Sequence, residues 1–214
     1  MRMKMMMVAG LVMLTGCVST KIVPLQQARM ATLQGKTLTI LKREKPSFAA
    51  TTAGKATLGI IGAVAMVAKG NSIVRENDIA DPAGYIAEQL AGDLANAHSM
   101  TVVPAGESAD VLLDVQTVNW GFAYFPTDFD NYRVLYGAKL RLMDNRSRKV
   151  LAEGFCGRKP EKSDSAPGYE ELLADQAARL KQELTASADH CIAEFRSKVL
   201  KSPALNTGSA ARVP

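Results

Sequence analysis

The chain reads as an α+β domain, a two-layer sandwich in which helices pack on one face of a mixed sheet, and three observations carry that reading. Between residues 110 and 156 three segments alternate apolar and polar residues at period two, as half-buried strands of an antiparallel meander do. On either side of them, residues 81–97 and 169–200 place apolar residues every three or four positions, as helices with one buried face do. Two shorter β-branched segments, 36–43 and 101–103, bracket the first of those helices, which suits strands joined by a helical crossover.

Taken in order, residues 36–43 (KTLTILKR) form a strand closed by Pro46. The next stretch, 48–69, is the most unusual. Between Lys55 and Lys69 lie thirteen uncharged residues, ATLGIIGAVAMVA, which as a helix would reach about 20 Å at 1.5 Å per residue. A bilayer's hydrocarbon core is about 30 Å thick. Gly59, Gly62 and Ala63 permit close backbone approach. Two readings stay open for 56–68: a buried core helix, or a segment that inserts in a membrane or packs against a copy of itself, which would make the protein an oligomer. Asp81 followed by Pro82 is an N-cap with proline in the first turn, and Ile86, Leu90 and Leu94 mark the buried face of the helix it starts.

In the meander, 110–118 turns Val111, Leu113 and Val115 inward and Asp114 outward, where it faces Lys139 or Arg141 as an exposed cross-strand pair worth a few tenths of a kcal/mol. Strand 132–143 puts Tyr136, Ala138, Leu140 and Leu142 on the apolar side. DNRSRK turns the chain into strand 150–156. The last helix aligns Leu173, Ala177, Leu180, Leu184, Ala188, Cys191, Phe195 and Val199 on one stripe.

The chain opens with MRMK, ten apolar residues from Met5 to Leu14, then Thr15, Gly16 and Cys17. A basic start, a short apolar run and small residues at its end are the parts of an export signal. The tetrad Leu14-Thr15-Gly16-Cys17 resembles the lipobox of Gram-negative bacterial lipoproteins. That resemblance implies a diacylglycerol thioether on Cys17, cleavage after Gly16 and an acylated amino terminus. Each buried methylene contributes about 0.8 kcal/mol, so three chains hold a soluble domain at a membrane where one would not. By the same resemblance, Val18 in place of an aspartate directs the protein to the outer membrane, on its periplasmic side. The expected organisation is therefore a signal over 1–16, a lipidated tether over 17–36, one domain over 37–200 and a disordered tail over 201–214.

With Cys17 lipidated, Cys156 and Cys191 remain as a pair in an oxidising compartment. Cys156 shares the parity of Val150 and Ala152 on its strand, and Cys191 lies on the apolar stripe of the last helix, so both face the layer between sheet and helix. A disulfide is expected there, with two buried free thiols as the alternative.

Six of the chain's twelve aromatic residues fall between positions 120 and 132: Trp120, Phe122, Tyr124, Phe125, Phe129 and Tyr132. They surround the loop PTDFDN and either form an anchor patch for a partner or cover the end of the sheet. Within that loop, Asp128 and Asp130 read as a capping pair. Catalytic motifs are not recognisable. The pair Gly54-Lys55 lacks the earlier glycine of a phosphate loop, which is Ala49, and the following hydroxyl, which is Ala56. His98 and His190 with the cysteines do not have zinc-motif spacing. Neither metal nor cofactor is expected, and a net charge of +5 does not suggest nucleic-acid binding. The whole pattern is broadly similar to the small domains of envelope assembly and transporter-associated lipoproteins of Gram-negative bacteria. That similarity implies a non-enzymatic, periplasm-facing accessory protein, held by its lipid anchor and binding an envelope protein partner. The alternative is a membrane-inserting or pore-forming lipoprotein that uses 56–68.

Overall fold

The computed structural model describes residues 21–52 and 59–201. The expected signal, Cys17 and all but the first residue of the expected tail lie outside them. In chain order the elements are α1 (Gln27–Met30), a 3-10 turn (Ala31–Leu33), β1 (Thr37–Ile40), β2 (Ala49–Thr51), α2 (Gly59–Glu76) and α3 (Pro82–His98). They continue with β3 (Thr101–Val102), β4 (Val111–Phe125), β5 (Asp128–Asp144), β6 (Val150–Arg158) and α4 (Tyr169–Glu194), which runs into a π-helical turn (Phe195–Leu200).

The sheet is mixed, in the order β3-β1-β4-β5-β6, with β2 added beside the second half of β4. β1 runs parallel to β3 and β4, and β4, β5 and β6 form the antiparallel meander. α3 and α4 pack on each other and on the sheet. The layer between them is built from Leu38, Leu113, Leu140 and Leu142 of the sheet against Ile86, Leu90 and Leu180 of the helices, all fully buried. This is the two-layer α+β arrangement with helices over a mixed sheet.

Four features depart from the sequence pattern, each for a physical reason. First, the segment expected to be tether is part of the fold from Val23 onward. Val23 bridges Glu153, the Leu25 amide donates to the Val199 carbonyl at 2.7 Å, and Leu25 and Leu33 are buried. Too few apolar residues lie here to show a period, yet β6 and the end of α4 provide a surface for them.

Second, β2 lies inside the unusual stretch. It is held by two glycines: a Cβ on Gly70 of α2 would sit 2.1 Å from the Phe48 carbonyl oxygen, and one on Gly121 of β4 would sit 2.2 Å from that of Ala49. Backbone can pass between α2 and β4 only because both side chains are absent.

Third, β4 and β5 extend through the expected loop, leaving only Pro126 and Thr127 at the turn, with Phe125 paired to Asp128. Fourth, α4 is broken near its start. Asp175, Gln176 and Ala177 have φ of 50°, 57° and 58°, a left-handed turn that non-glycine residues rarely adopt. The break shifts the helical phase. Leu172, not Leu173, is the buried leucine before it, while the expected stripe from Ala177 to Val199 is buried after it.

Candidate functional site

Beyond the C-terminal ends of the parallel strands β1 and β3 lies a groove of about 640 Å³. This is the side on which open parallel sheets commonly seat ligands, and the volume is that of a small-molecule site. Its walls come from three places: Ile40 and residues 41–45 leaving β1, residues 102–105 leaving β3, and Ala83, Gly84 and Ala87 of α3. These walls are mostly apolar, with Lys42, Arg43, Lys45, Asp81 and Glu88 as the charged groups.

Two partly buried polar networks border the groove. Asp81 caps α3 by accepting from the Ala83 amide at 3.0 Å, and it also accepts from the Thr117 hydroxyl at 2.5 Å. Thr117 in turn lies 3.1 Å from the Tyr136 hydroxyl, whose pKa burial pushes well above the usual phenol value. The cap thus fixes the helix start to the middle of the sheet. Arg43 of the groove's wall reaches Asp114 of β4, which is buried. It accepts from Arg43 through both Nε and Nη2 at 2.7 Å and from Arg141 Nη2 at 2.7 Å. Burial acts to raise its pKa, and the bonds and charges of Arg43 and Arg141 outweigh that, holding it below the usual carboxylate range.

The Asp114 expectation therefore needs correction. Arg141 is its cross-strand partner as pattern predicts, but the pair is not exposed, because Arg43 folds back from the end of β1 to cover it. Lys139 pairs instead with Glu153 at 2.8 Å. Arg43 carried no signal of this role in the sequence. Another missed pair is Asp93 with Arg196, at 2.6 Å, which ties α3 to the π-helical turn that follows α4. The cue was available: Asp93 interrupts the apolar run Leu90, Ala91, Leu94 on the face that the pattern buries.

The six clustered aromatics do not form one surface. Trp120, Phe122, Phe125 and Tyr132 are buried, and Phe122 sits at the centre of edge-to-face contacts with Phe48, Tyr132 and Tyr169. Trp120 packs on Phe48 and donates its Nε1 hydrogen to the Pro46 carbonyl at 3.0 Å. An anchor patch built from all six is thus excluded, because the extended hairpin turns alternate residues inward, under the segment before β2 and the start of α4. Phe129, 57% exposed, stays at the surface and packs on the half-buried Tyr124. Asp128 accepts the amides of Asp130 and Asn131, a turn-capping role, and pairs with Lys162 at 2.8 Å.

Of the small residues singled out in the apolar segment, Gly59 opens α2, Gly62 is buried, and Ala63 is exposed beside Val64, which is 68% exposed. Among the described residues no helix is long and apolar enough to cross a membrane. Cys156 and Cys191 form a disulfide between β6 and α4, with Cα atoms 5.4 Å apart. His190 and Glu194 lie near Cys156, but a sulfur already bonded to sulfur is no thiolate and cannot serve as a metal ligand.

No family model matches this chain. No curated protein matches it either. Among solved structures it is similar to protein XCC0632 from Xanthomonas campestris, a DUF330 protein, at 13% identity over 84% of this chain and 93% of that one, with a TM-score of 0.39. It is also similar to the PelC dodecamer from Paraburkholderia phytofirmans, at 13% identity over 78% and 89% of the two chains, TM-score 0.34. A putative lipoprotein from Caulobacter crescentus CB15 is 16% identical over 54% and 81%, TM-score 0.33. At these identities and scores the likeness says nothing about function.

Proposed function

We propose that this protein is a lipid-anchored, periplasm-facing component of the bacterial envelope that works by binding a partner and not by catalysis. The observation that carries the binding half is the groove between 40–45, 102–105 and α3. Its apolar walls, set on a frame whose buried polar groups are internally paired, suit capture of an apolar or amphipathic segment of an envelope protein. The residues around it are not arranged as a nucleophile with its base. The anchoring half rests on Leu14-Thr15-Gly16-Cys17 and the apolar run before it, and the outer membrane is the destination that Val18 favours. Position 23, where the chain joins the fold, stands six residues from Cys17, which would keep the domain close to the lipid surface.

The two halves are tested separately. Metabolic labelling with a palmitate analogue should mark the wild-type chain and leave Cys17→Ala dark; an unlabelled wild type refutes the anchor. For the groove, a photo-crosslinking residue placed at Ala105 should trap one envelope protein in living cells. Introducing Gly84→Trp should abolish that product, since space beside Gly84 is open and an indole there fills the groove. Absence of any product from Ala105, or its persistence in Gly84→Trp, counts against the groove as the binding surface.

A further inference from the structure

A second concavity lies where β5 runs past the end of β6 and the segment 159–168 crosses over it. This cleft holds about 200 Å³ and is lined by three arginines from three elements: Arg133 of β5, Arg158 at the end of β6 and Arg179 of α4. One carboxylate serves two of them, since Glu183 accepts from Arg158 at 3.1 Å and pairs with Arg179 at 3.2 Å. Arg133 has neither ion pair nor hydrogen-bond acceptor among the described residues; its guanidinium stands 5.1 Å above the Phe125 ring. The Nε atoms of Arg133 and Arg179 are both buried without an acceptor. The other acidic residue at the cleft, Glu161, is exposed on the crossing segment.

Buried donors without acceptors are rare in folded proteins, and each calls for an explanation such as a bound ion. Here two occur together, on arginines that line a cleft where cations outnumber carboxylates. We propose that the cleft binds a phosphate group. Arginines approaching from three elements, with the Ser163 and Ser165 hydroxyls on the crossing segment, offer donors from several directions. A tetrahedral anion with three or more acceptor oxygens uses such a set fully, whereas the two coplanar oxygens of a carboxylate are satisfied by a single guanidinium fork. The segment that crosses the cleft is pinned to the β4–β5 hairpin. Lys162 pairs with Asp128, the Tyr132 amide donates to the Pro167 carbonyl at 2.8 Å, and Asn131 bridges Gly168. The left-handed turn at 175–177 begins the helical segment that carries Arg179 and Glu183. Arg158 and Arg179 are about a quarter to a third exposed, which leaves the ligand a way in. None of this depends on how the chain is anchored.

The test is calorimetric titration of the full chain, in a phosphate-free sugar detergent, with inorganic phosphate, glycerol 3-phosphate as a lipid headgroup and glucose 1-phosphate for phosphate borne on a glycan. Phosphate should bind and raise the melting temperature, as any ligand selective for the native state does. Arg133→Gln and Arg179→Gln should each weaken binding about tenfold or more, and Ser163→Ala severalfold. Tightest binding of glycerol 3-phosphate assigns the group to a lipid, and tightest binding of glucose 1-phosphate assigns it to a glycan. Equal affinities assign recognition to the phosphate alone. The proposal is overturned if wild type binds none of the three, or if both arginine variants, shown folded by circular dichroism, bind as well as wild type. Should those variants not fold, acetate decides on wild type: displacement of phosphate at equal concentration overturns the assignment, and failure to displace it supports it.

Discussion

The groove beside α3 and the cleft beside α4 treat charge in opposite ways. At the groove, Asp114 is buried and two arginines supply it with three short hydrogen bonds. At the cleft, two of three arginines share one half-buried carboxylate, the third has none, and two of their donors have no acceptor. The first arrangement is complete without a ligand and serves as a frame; the second is complete only with an anion. An arginine is therefore not interpretable by its type or exposure alone. What decides its role is whether the fold has already given its donors a partner.

The largest expected effect concerns the covalent tie on the cleft side. Replacing Cys156 and Cys191 together by alanine opens a link across 35 residues and should cost about 4 kcal/mol in urea unfolding, by chain entropy. A cost below 1 kcal/mol would mean that noncovalent packing of β6 on α4 suffices. Next is the groove's frame. Arg43→Ala combined with Arg141→Ala leaves Asp114 buried without a counter-charge and should cost about 3 kcal/mol; either single change should cost less than half of that, because one charged arginine remains hydrogen-bonded to the carboxylate. A double variant as stable as wild type would show that water reaches Asp114 and that the frame is not dry.

The pH dependence sharpens the same point. Asp114 has a lower pKa folded than unfolded, so its contribution is fully present above about pH 4, the ordinary aspartate range, and is lost as pH falls through the folded value. Urea midpoints measured at pH 6 and pH 3 should therefore diverge more for wild type than for Asp114→Asn. Equal divergence removes Asp114 from the account. The smallest effect distinguishes the two regions most sharply: Arg133→Ala should change stability by less than about 1 kcal/mol without ligand, since no ion pair is lost. A large loss would mean that Arg133 is a structural residue and the cleft resembles the groove after all.

Much of the architecture was legible because it follows from period. Alternation over 110–116 and 136–142 placed the central strands, and the Asp81-Pro82 cap placed the start of α3 where the structure has it. The parity of Cys156 and the stripe position of Cys191 put both sulfurs in one layer, where they are bonded. Other parts were not legible because no local signal encodes them. Ala49–Thr51 is too short and too small in its side chains to read as a strand, and exists because Gly70 and Gly121 let the backbone in. The aromatic cluster suggested a surface because residue type says nothing of which side of a long hairpin is covered; Phe48 and Tyr169, distant in sequence, cover it. Leu173 lost its place to Leu172 because three left-handed residues reset the helix.

By itself, the sequence determined the helices and strands whose periodicity is local, the fold class that their order allows, and the lipobox-like start that motivates an envelope address. Only the tertiary structure decided which charges are paired, which aromatics are core, and where concavities form. The physical reason is range. A hydrophobic period is written within one segment, whereas the partner of a buried charge is chosen by segments that meet only after folding, as Asp114 meets Arg43 across 71 positions.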